Sequence, residues 1–537
     1  MKQFRFLLTF LVIAVAAALW AAPASAQADQ PAPNLVLTTL YFQYQMDDGS
    51  SGAGSYLLAD NAAFADNDGN RGVWGFDPIS DMYVIYYNTG ANCGAISFAL
   101  YNFTTNQMQG IRLCTDGSGA RGLWSGVLWF NGVTTRISVA SDGTEGNLGS
   151  SASDISADER YIGFGSEANN LVEGDTNGSS DGFIYDRQTG QITRVTVASD
   201  GTEGNDDSGG PKLSADGRYA VFSSLARNLV SNDTNWRQDI FVHDRQTGQT
   251  SRVSVSSDGA EANDYSFDFD VSADGRYIVF ESPASNLVAN DTNETWDIFL
   301  HDQQTGQTSR VSVAADGTEG NNPSYDPAIS ADGRYVSFRS WASNFVGGDT
   351  NEYSDIFVHD RLTGEISRVS VASDGTQADS TSFYSDLSGD GRYVAFQSYA
   401  TNLVADDTNE VGDIFVHDRV TGETRRVSVA SDGAQGNGVS SGPSISADGR
   451  YVAFDSEASN LVTNDINLRQ DVFVYDRQTE QTIRVSVASN GVQGNRRSYT
   501  PKISTDGQYV LFSSDAFNLV EGDTNLENDV FMRDRGQ

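Results

Sequence analysis

The sequence predicts an all-β chain: a seven-bladed β-propeller of 58-residue, four-stranded repeats, closed by an N-terminal strand and preceded by a small antiparallel β domain. Three observations carry this prediction. First, Asp158, Asp216, Asp274, Asp332, Asp390, Asp448 and Asp506 recur at a constant spacing of 58 residues, and a fixed long period marks units that stack or ring. Second, every unit holds short apolar or alternating runs separated by tight turns. Third, the ends of the array are complementary. The last unit stops after its third strand, at Arg533-Asp534-Arg535-Gly536-Gln537, and an orphan copy of the missing fourth strand, Thr135 to Gly143, stands in front of the first.

The chain begins with Lys2 and Arg5, an apolar run from Phe6 to Trp20 and an A-x-A site at Ala24-Ser25-Ala26. That is the pattern of a secretory signal peptide over 1–26. It leads us to expect export to the periplasm, the extracellular space or the cell surface. The run is short against the roughly 20 apolar residues of a bilayer span, so the mature chain is expected not to insert in a membrane. Residues 27–131 have no 58-residue period. They carry β-like runs such as Leu35–Gln45, Met82–Tyr87 and Gly122–Phe130, and are expected to form a small barrel or sandwich. Both cysteines, Cys93 and Cys114, fall here. Export favours a disulfide between them, with two buried thiols as the alternative. The propeller is expected to occupy 132–537.

One unit shows why four strands are expected. Ser444-Ile445-Ser446 is a short apolar strand, and Ala447-Asp448-Gly449-Arg450 is a turn in which glycine supplies a positive φ. Tyr451-Val452-Ala453-Phe454 is apolar on both faces, as in a sheet covered on both sides. After a loop, Asp471–Tyr475 is a third strand. Thr482–Val487 alternates apolar and polar residues, the mark of a half-exposed fourth. A four-stranded sheet cannot bury both faces alone; seven in a ring cover one another. If the orphan strand completes the last sheet, closure also removes two exposed edges.

Segments such as Ser272-Ala273-Asp274-Gly275-Arg276-Tyr277-Ile278-Val279-Phe280 resemble the repeat of TolB-type bacterial propellers, relatives of the WD-repeat group. The resemblance covers the repeats and implies a propeller fold and an exported setting. The units here are longer, and the front domain differs, so it implies no role in the Tol envelope machinery.

The chain holds 34 Lys and Arg against 72 Asp and Glu, a formal charge of −38. A phosphate backbone would be repelled, so nucleic acid is excluded as a partner. Protein, peptide or glycan ligands remain, on a monomeric scaffold. The four histidines, His243, His301, His359 and His417, occupy one repeat position; a group copied into several units is architecture. The loop between second and third strands carries Asp-x-Asn-x-x-x-Asp in every unit. The sets are Asp175/Asn177/Asp181, Asp233/Asn235/Asp239, Asp291/Asn293/Asp297, Asp349/Asn351/Asp355, Asp407/Asn409/Asp413, Asp465/Asn467/Asp471 and Asp523/Asn525/Asp529. Short oxygen side chains at alternate positions suit Ca²⁺; the competing reading is loop-capping Asx turns. No other cofactor is expected.

The blade-to-blade loop keeps a serine at 150, 208, 266, 324, 382, 440 and 498, and the residues around it diverge between units. Tyr265, Phe267, Phe269, Tyr325, Phe383, Tyr384 and Tyr499 are candidate ligand-contacting residues. In an antiparallel blade this loop and the Asp-x-Asn loop exit on one face, and binding residues favour loops on a rigid scaffold. Two function classes follow. One is an exported, non-catalytic binding scaffold. The other is a carboxylate-dependent glycoside hydrolase or lyase, whose acids would be those that only one or two units carry: Asp264, Asp268 and Asp326.

Overall fold

A computed structural model describes residues 132–536, together with the backbone of eight strands between residues 37 and 130. The leader over 1–26 and Cys93 lie outside the described residues. Cys114 ends the strand Gln107–Cys114 and only its backbone is described, so the disulfide expectation falls outside as well. The chain divides into two units after Trp129. In the first, eight strands, from Leu37–Met46 to Arg121–Phe130, follow in sequence order and close as a barrel.

In the second unit the 58-residue period becomes seven four-stranded antiparallel sheets, blades 1–7, of which blades 1–6 have their strands in sequence order. Blade 3 is typical: Phe267–Val271, Tyr277–Ser282, Asp297–Asp302 and Gln307–Arg310. The second strand pairs Phe280 with Phe299 of the third, and their rings stack at 5.9 Å. The same pair recurs in every blade, as Phe164–Phe183 at 5.6 Å in blade 1 and Phe512–Phe531 at 6.0 Å in blade 7. The cores lie between blades. Val221, Ile240 and Val242 of blade 2 form one buried cluster with Ile278, Phe280 and Phe299 of blade 3. Each sheet is thus covered on both faces, which is why its central strands are apolar throughout.

First strands of successive blades touch in a complete circuit, blade 7 against blade 1 included, so they line the axis. Blade 7 takes its fourth strand from the front of the array: Thr134–Arg136 pairs antiparallel with Asp529–Asp534, with Arg136 opposite Phe531. The Ile137 amide donates to the Val530 carbonyl at 2.7 Å. The ring is closed.

Two strand bounds differ from the sequence reading. Fourth strands are shorter: Gln481–Arg484, not Thr482–Val487. The amide of Val487 donates to the carbonyl of Val485 at 2.8 Å, so the chain turns at Ser486, and Val487 then bridges Gln493. The first strand of this unit is longer: Ser440–Ile445 with an irregularity between Ser441 and Ser444, where Gly442 takes φ 59°. The bulge hides the alternation that would have revealed the strand.

On the tight-turn side, an arginine of one blade caps the tyrosine of the blade before it. Arg245 lies 4.1 Å from the Tyr161 ring centre and Arg361 lies 3.9 Å from that of Tyr277. Blade 3 departs, with Gln303 where the others have arginine. Its side chain bonds the Gly275 carbonyl, and among the described residues no arginine caps Tyr219 across the seam between blades 2 and 3.

Candidate functional site

The two long loops share one end of each blade. The Ser266 amide donates to the Gln238 carbonyl at 2.8 Å, and Ser324 to Trp296 at 2.9 Å, tying each blade-to-blade loop to the residue preceding the third strand of the blade before. The repeated serines are structural. Ser208 and Ser224 hydroxyls bond at 2.8 Å, as do Ser498 and Ser514.

The Asp-x-Asn-x-x-x-Asp loops are built around an arginine. In blade 2, Nη1 of Arg252 lies 3.1 Å from Asp239, 3.8 Å from Asp233 and 2.8 Å from Glu261. Ser254 donates to Asp239 at 2.6 Å. The same arrangement recurs around the ring. Arg136 stands between Asp523 and Asp529, Arg194 between Asp175 and Asp181, and Arg310 between Asp291 and Asp297. Arg368 stands between Asp349 and Asp355, Arg426 between Asp407 and Asp413, and Arg484 between Asp465 and Asp471. A guanidinium therefore occupies the gap between the carboxylates where the calcium reading puts the cation. It comes from the fourth strand, thirteen residues beyond the last aspartate, too far along the chain for the loop motif to reveal it.

The asparagines of these loops are held by hydrogen bonds of their own. Asn177, Asn235, Asn293, Asn351, Asn409, Asn467 and Asn525 were the middle ligands of the calcium reading, which needs their side-chain oxygens. In each, Oδ1 instead accepts the backbone amide two residues on, at 2.8–3.3 Å. That is an Asx turn. Nδ2 of each donates to the last aspartate of its loop at 2.9–3.3 Å. It also donates to a backbone carbonyl, 2.8–3.0 Å away. The asparagine thus turns its NH₂ towards the carboxylates and spends its oxygen on the turn. Burial and mutual repulsion push Asp233 and Asp523 up to about 6.

Three of the four histidines are tied into the frame in one way. Nδ1 of His243 meets the Thr250 hydroxyl at 2.9 Å, with the same contact at His301 and His417, and burial lowers each of the three below the usual imidazole range.

Symmetry breaks over blades 3 to 5. Here aromatic rings form a ladder. Tyr265 stacks on Phe267 at 5.6 Å, Phe267 meets Trp296 at 5.7 Å, Trp296 meets Tyr325 at 5.6 Å, and Tyr325 meets Trp341 edge-on at 5.8 Å. The Arg339 guanidinium lies over Tyr325, Trp341 and Phe383, at 5.2, 4.8 and 5.4 Å. Phe383 in turn meets Tyr384 and Tyr399. Trp341, Tyr384 and Tyr399 remain exposed. Beside the ladder, Asp268, Glu281 and Asp326 each bring a carboxylate oxygen within 4.8 Å of the others. Glu281 is 5% exposed and accepts the Asp326 amide at 2.9 Å. Burial, with Asp268 and Asp326 adding to it, pushes Glu281 up to about 8. Burial holds Asp326 at about 6 against the pull of Arg339, which lies 3.1 Å away.

Of the residues singled out from sequence, the structure brings together Tyr265, Phe267, Tyr325, Phe383, Tyr384, Asp268 and Asp326. It sets three apart. Phe269 packs on the core between blades 2 and 3, because the irregularity between Phe267 and Phe269 turns it away from its neighbour. Tyr499 lies in blade 7 against Arg497. Asp264 pairs with Arg237 at 3.4 Å, away from the other two acids. Sequence reasoning missed Glu281, Trp296, Arg339, Trp341 and Tyr399. A signal existed: the column at 165, 223, 281, 339, 397, 455 and 513 reads Gly, Ser, Glu, Arg, Gln, Asp, Ser on an otherwise constant strand.

Nearer the axis, Asp154, Asp270 and Asp386 accept the amides of Leu213, Ile329 and Ile445 in the next blade, at 2.8–2.9 Å. Lys212 reaches Asp270 at 3.2 Å. These bonds stitch blades together around the ring.

No protein-family model matches the chain, and no curated protein does. Solved structures similar to it include a TolB protein from Agrobacterium tumefaciens, 17% identical, covering 52% of this chain and 80% of its own, TM-score 0.33. Another is the β-propeller domain of the Trilobed protease from Pyrococcus furiosus, 12% identical, covering 69% and 91%, TM-score 0.42. A third is the xyloglucanase from Xanthomonas campestris, 10% identical, covering 75% and 56%, TM-score 0.38. The likeness to TolB-type and other propellers is one of fold.

Proposed function

We propose that this chain is an exported, non-catalytic binding scaffold whose protein, peptide or glycan ligand docks on the long-looped face over blades 3 to 5. One observation carries the reading: a ladder of aromatic rings and carboxylates occurs in three of seven otherwise repetitive blades. Architecture repeats, and the repeat supplies the loops, the serines and the arginine-filled aspartate pairs everywhere. Exposed rings beside polar groups, held on rigid strands, are what a recognition surface requires. The leader pattern over 1–26 supports export. The experiment is a combined peptide and glycan array probed with the mature chain and with a Trp341→Ala/Tyr384→Ala variant. Ligands retained by the double variant would count against this face.

The second reading, a carboxylate hydrolase, is favoured by the split between Glu281, pushed up to about 8, and Asp326, at about 6. Its weakness is spacing. The three oxygens lie within 4.8 Å, tighter than the roughly 5–5.5 Å that brackets a glycosidic bond in retaining enzymes. Hydrolysis of an array glycan that disappears in Asp268→Asn would favour it.

A further inference from the structure

The ladder carries its own pattern of cations. At one end Arg237 lies 4.5 Å from the Tyr265 ring centre, bonds its hydroxyl at 2.8 Å and pairs with Asp264. At the other, Arg339 lies over Tyr325 and pairs with Asp326. Between these two stations Phe267 is paired in register with Glu281, and Asp268 follows it in the chain. Asp268 and Glu281 have no Lys, Arg or His within ion-pair distance among the described residues. The ladder thus repeats a ring-plus-carboxylate station three times and fills it with guanidinium twice.

Glu281 shows that the middle station is incomplete. Asp455 occupies the same repeat position in blade 6, three units later, and is equally buried. It is fully served: Ser441 donates at 2.5 Å, Gln470 at 2.6 Å, and the Thr500 amide at 3.1 Å. Glu281 receives the corresponding amide, that of Asp326, and no other donor among the described residues. Its carboxylate lies beside two others, those of Asp268 and Asp326. A buried carboxylate with a single donor is costly, and one set among like charges calls for a positive partner: a proton when the site is empty, a cation when it is occupied.

We propose that this station receives the guanidinium or ammonium of an arginine or lysine side chain on a polypeptide partner, seated among Asp268, Glu281 and Asp326 beside Phe267 and Trp296. The inference rests on the scaffold reading and names the ligand chemistry of that same face. Guanidinium on an aromatic wall is the form in which the molecule already fills both neighbouring stations. The surrounding charge of −38 attracts a basic partner over distance.

The test titrates the full mature chain with an arginine-rich peptide and its lysine and citrulline counterparts, by calorimetry and tryptophan fluorescence. We expect the arginine and lysine peptides to bind and the neutral citrulline peptide to bind about tenfold more weakly or worse. Glu281→Gln and Asp268→Asn should each weaken binding to a similar degree, while Glu365→Gln, exposed on the tight-turn side of blade 4, should not. Asp268 is exposed, so Asp268→Asn reads the site even where Glu281→Gln fails to fold. Equal binding of citrulline, no binding of either basic peptide, or Ca²⁺ saturating the trio in place of peptide would each overturn the proposal. An array ligand that binds this face and ignores Glu281→Gln would overturn it while leaving the scaffold intact. A face that binds nothing removes both.

Discussion

Glu159 is the flaw in the repeat, and replacing it with glycine should stabilise the ring. Six blades place glycine after the turn aspartate, at φ 64–79°. A Cβ there would come within 2.1–2.4 Å of the tyrosine ring of the preceding blade. Blade 1 instead has Glu159 at φ 61°, at the seam where the closed ring joins blade 7. A non-glycine residue in this region costs roughly 1–2 kcal/mol, and the greater freedom of glycine in the unfolded chain returns about 0.5–1 of that. The net expectation for Glu159→Gly is about 0.5–1 kcal/mol. A charge contribution adds to it. Burial and the neighbouring Asp506 push Glu159 up to about 7. A carboxyl raised in the folded state is tolerated when protonated and penalised when ionised, so its unfavourable effect is absent below about pH 4.5 and grows as pH rises through 7. Solvent screening at this partly open position keeps it below about 1 kcal/mol. For a unit of some 400 residues, 1 kcal/mol moves the melting midpoint by about 1–2 °C. Scanning fluorimetry should therefore give Glu159→Gly a gain of about 1 °C at pH 4.5 and about 2 °C at pH 8. Glu159→Gln keeps the backbone strain and should gain only at the higher pH. No gain for the glycine variant at either pH, or a gain for glutamine that is the same at both, refutes the reasoning.

Three further outcomes are expected. Gln303→Arg supplies the missing arginine at the seam between blades 2 and 3; a contact of about 0.5–1 kcal/mol should raise the midpoint by about 1 °C, and a fall would show that the seam cannot accept it. Arg252→Leu strands Asp233, Asp239 and Glu261, and breaking a buried ion pair this way costs about 3–5 kcal/mol; chelator, by contrast, should leave the wild-type midpoint unchanged, and a chelator-induced fall would restore calcium to these loops. Binding of the arginine peptide should strengthen as pH rises towards about 8, because cation capture requires Glu281 to give up its proton while Asp268, Asp326, Arg339 and Tyr325 face it; affinity that is flat from pH 6 to 9 would deny Glu281 that part.

What was legible in the sequence was whatever repeats. The period, the turn at Asp-Gly-Arg, the doubly apolar second strand and the orphan fourth strand are local patterns copied seven times. Each copy reinforces the others, so blade count and closure followed before any coordinate. Variation between units likewise pointed to Tyr265, Phe267, Asp268, Tyr325, Asp326, Phe383 and Tyr384, which the structure gathers over blades 3 to 5. It failed where a bulge intervened, as at Phe269, since one extra residue reverses which side a strand presents.

Which further residues join the candidate site emerges only in three dimensions. Glu281, Trp296, Arg339 and Trp341 come from second strands and outer loops, and they meet the first-strand residues because one blade packs against the next. The same holds for the aspartate pairs, whose partner arginine arrives from across the sheet. A motif along the chain can show that carboxylates gather; whether they wait for an ion or already hold a guanidinium depends on which side chain the neighbouring strand carries into the gap. That is a matter of strand pairing and blade packing, and no linear spacing encodes it.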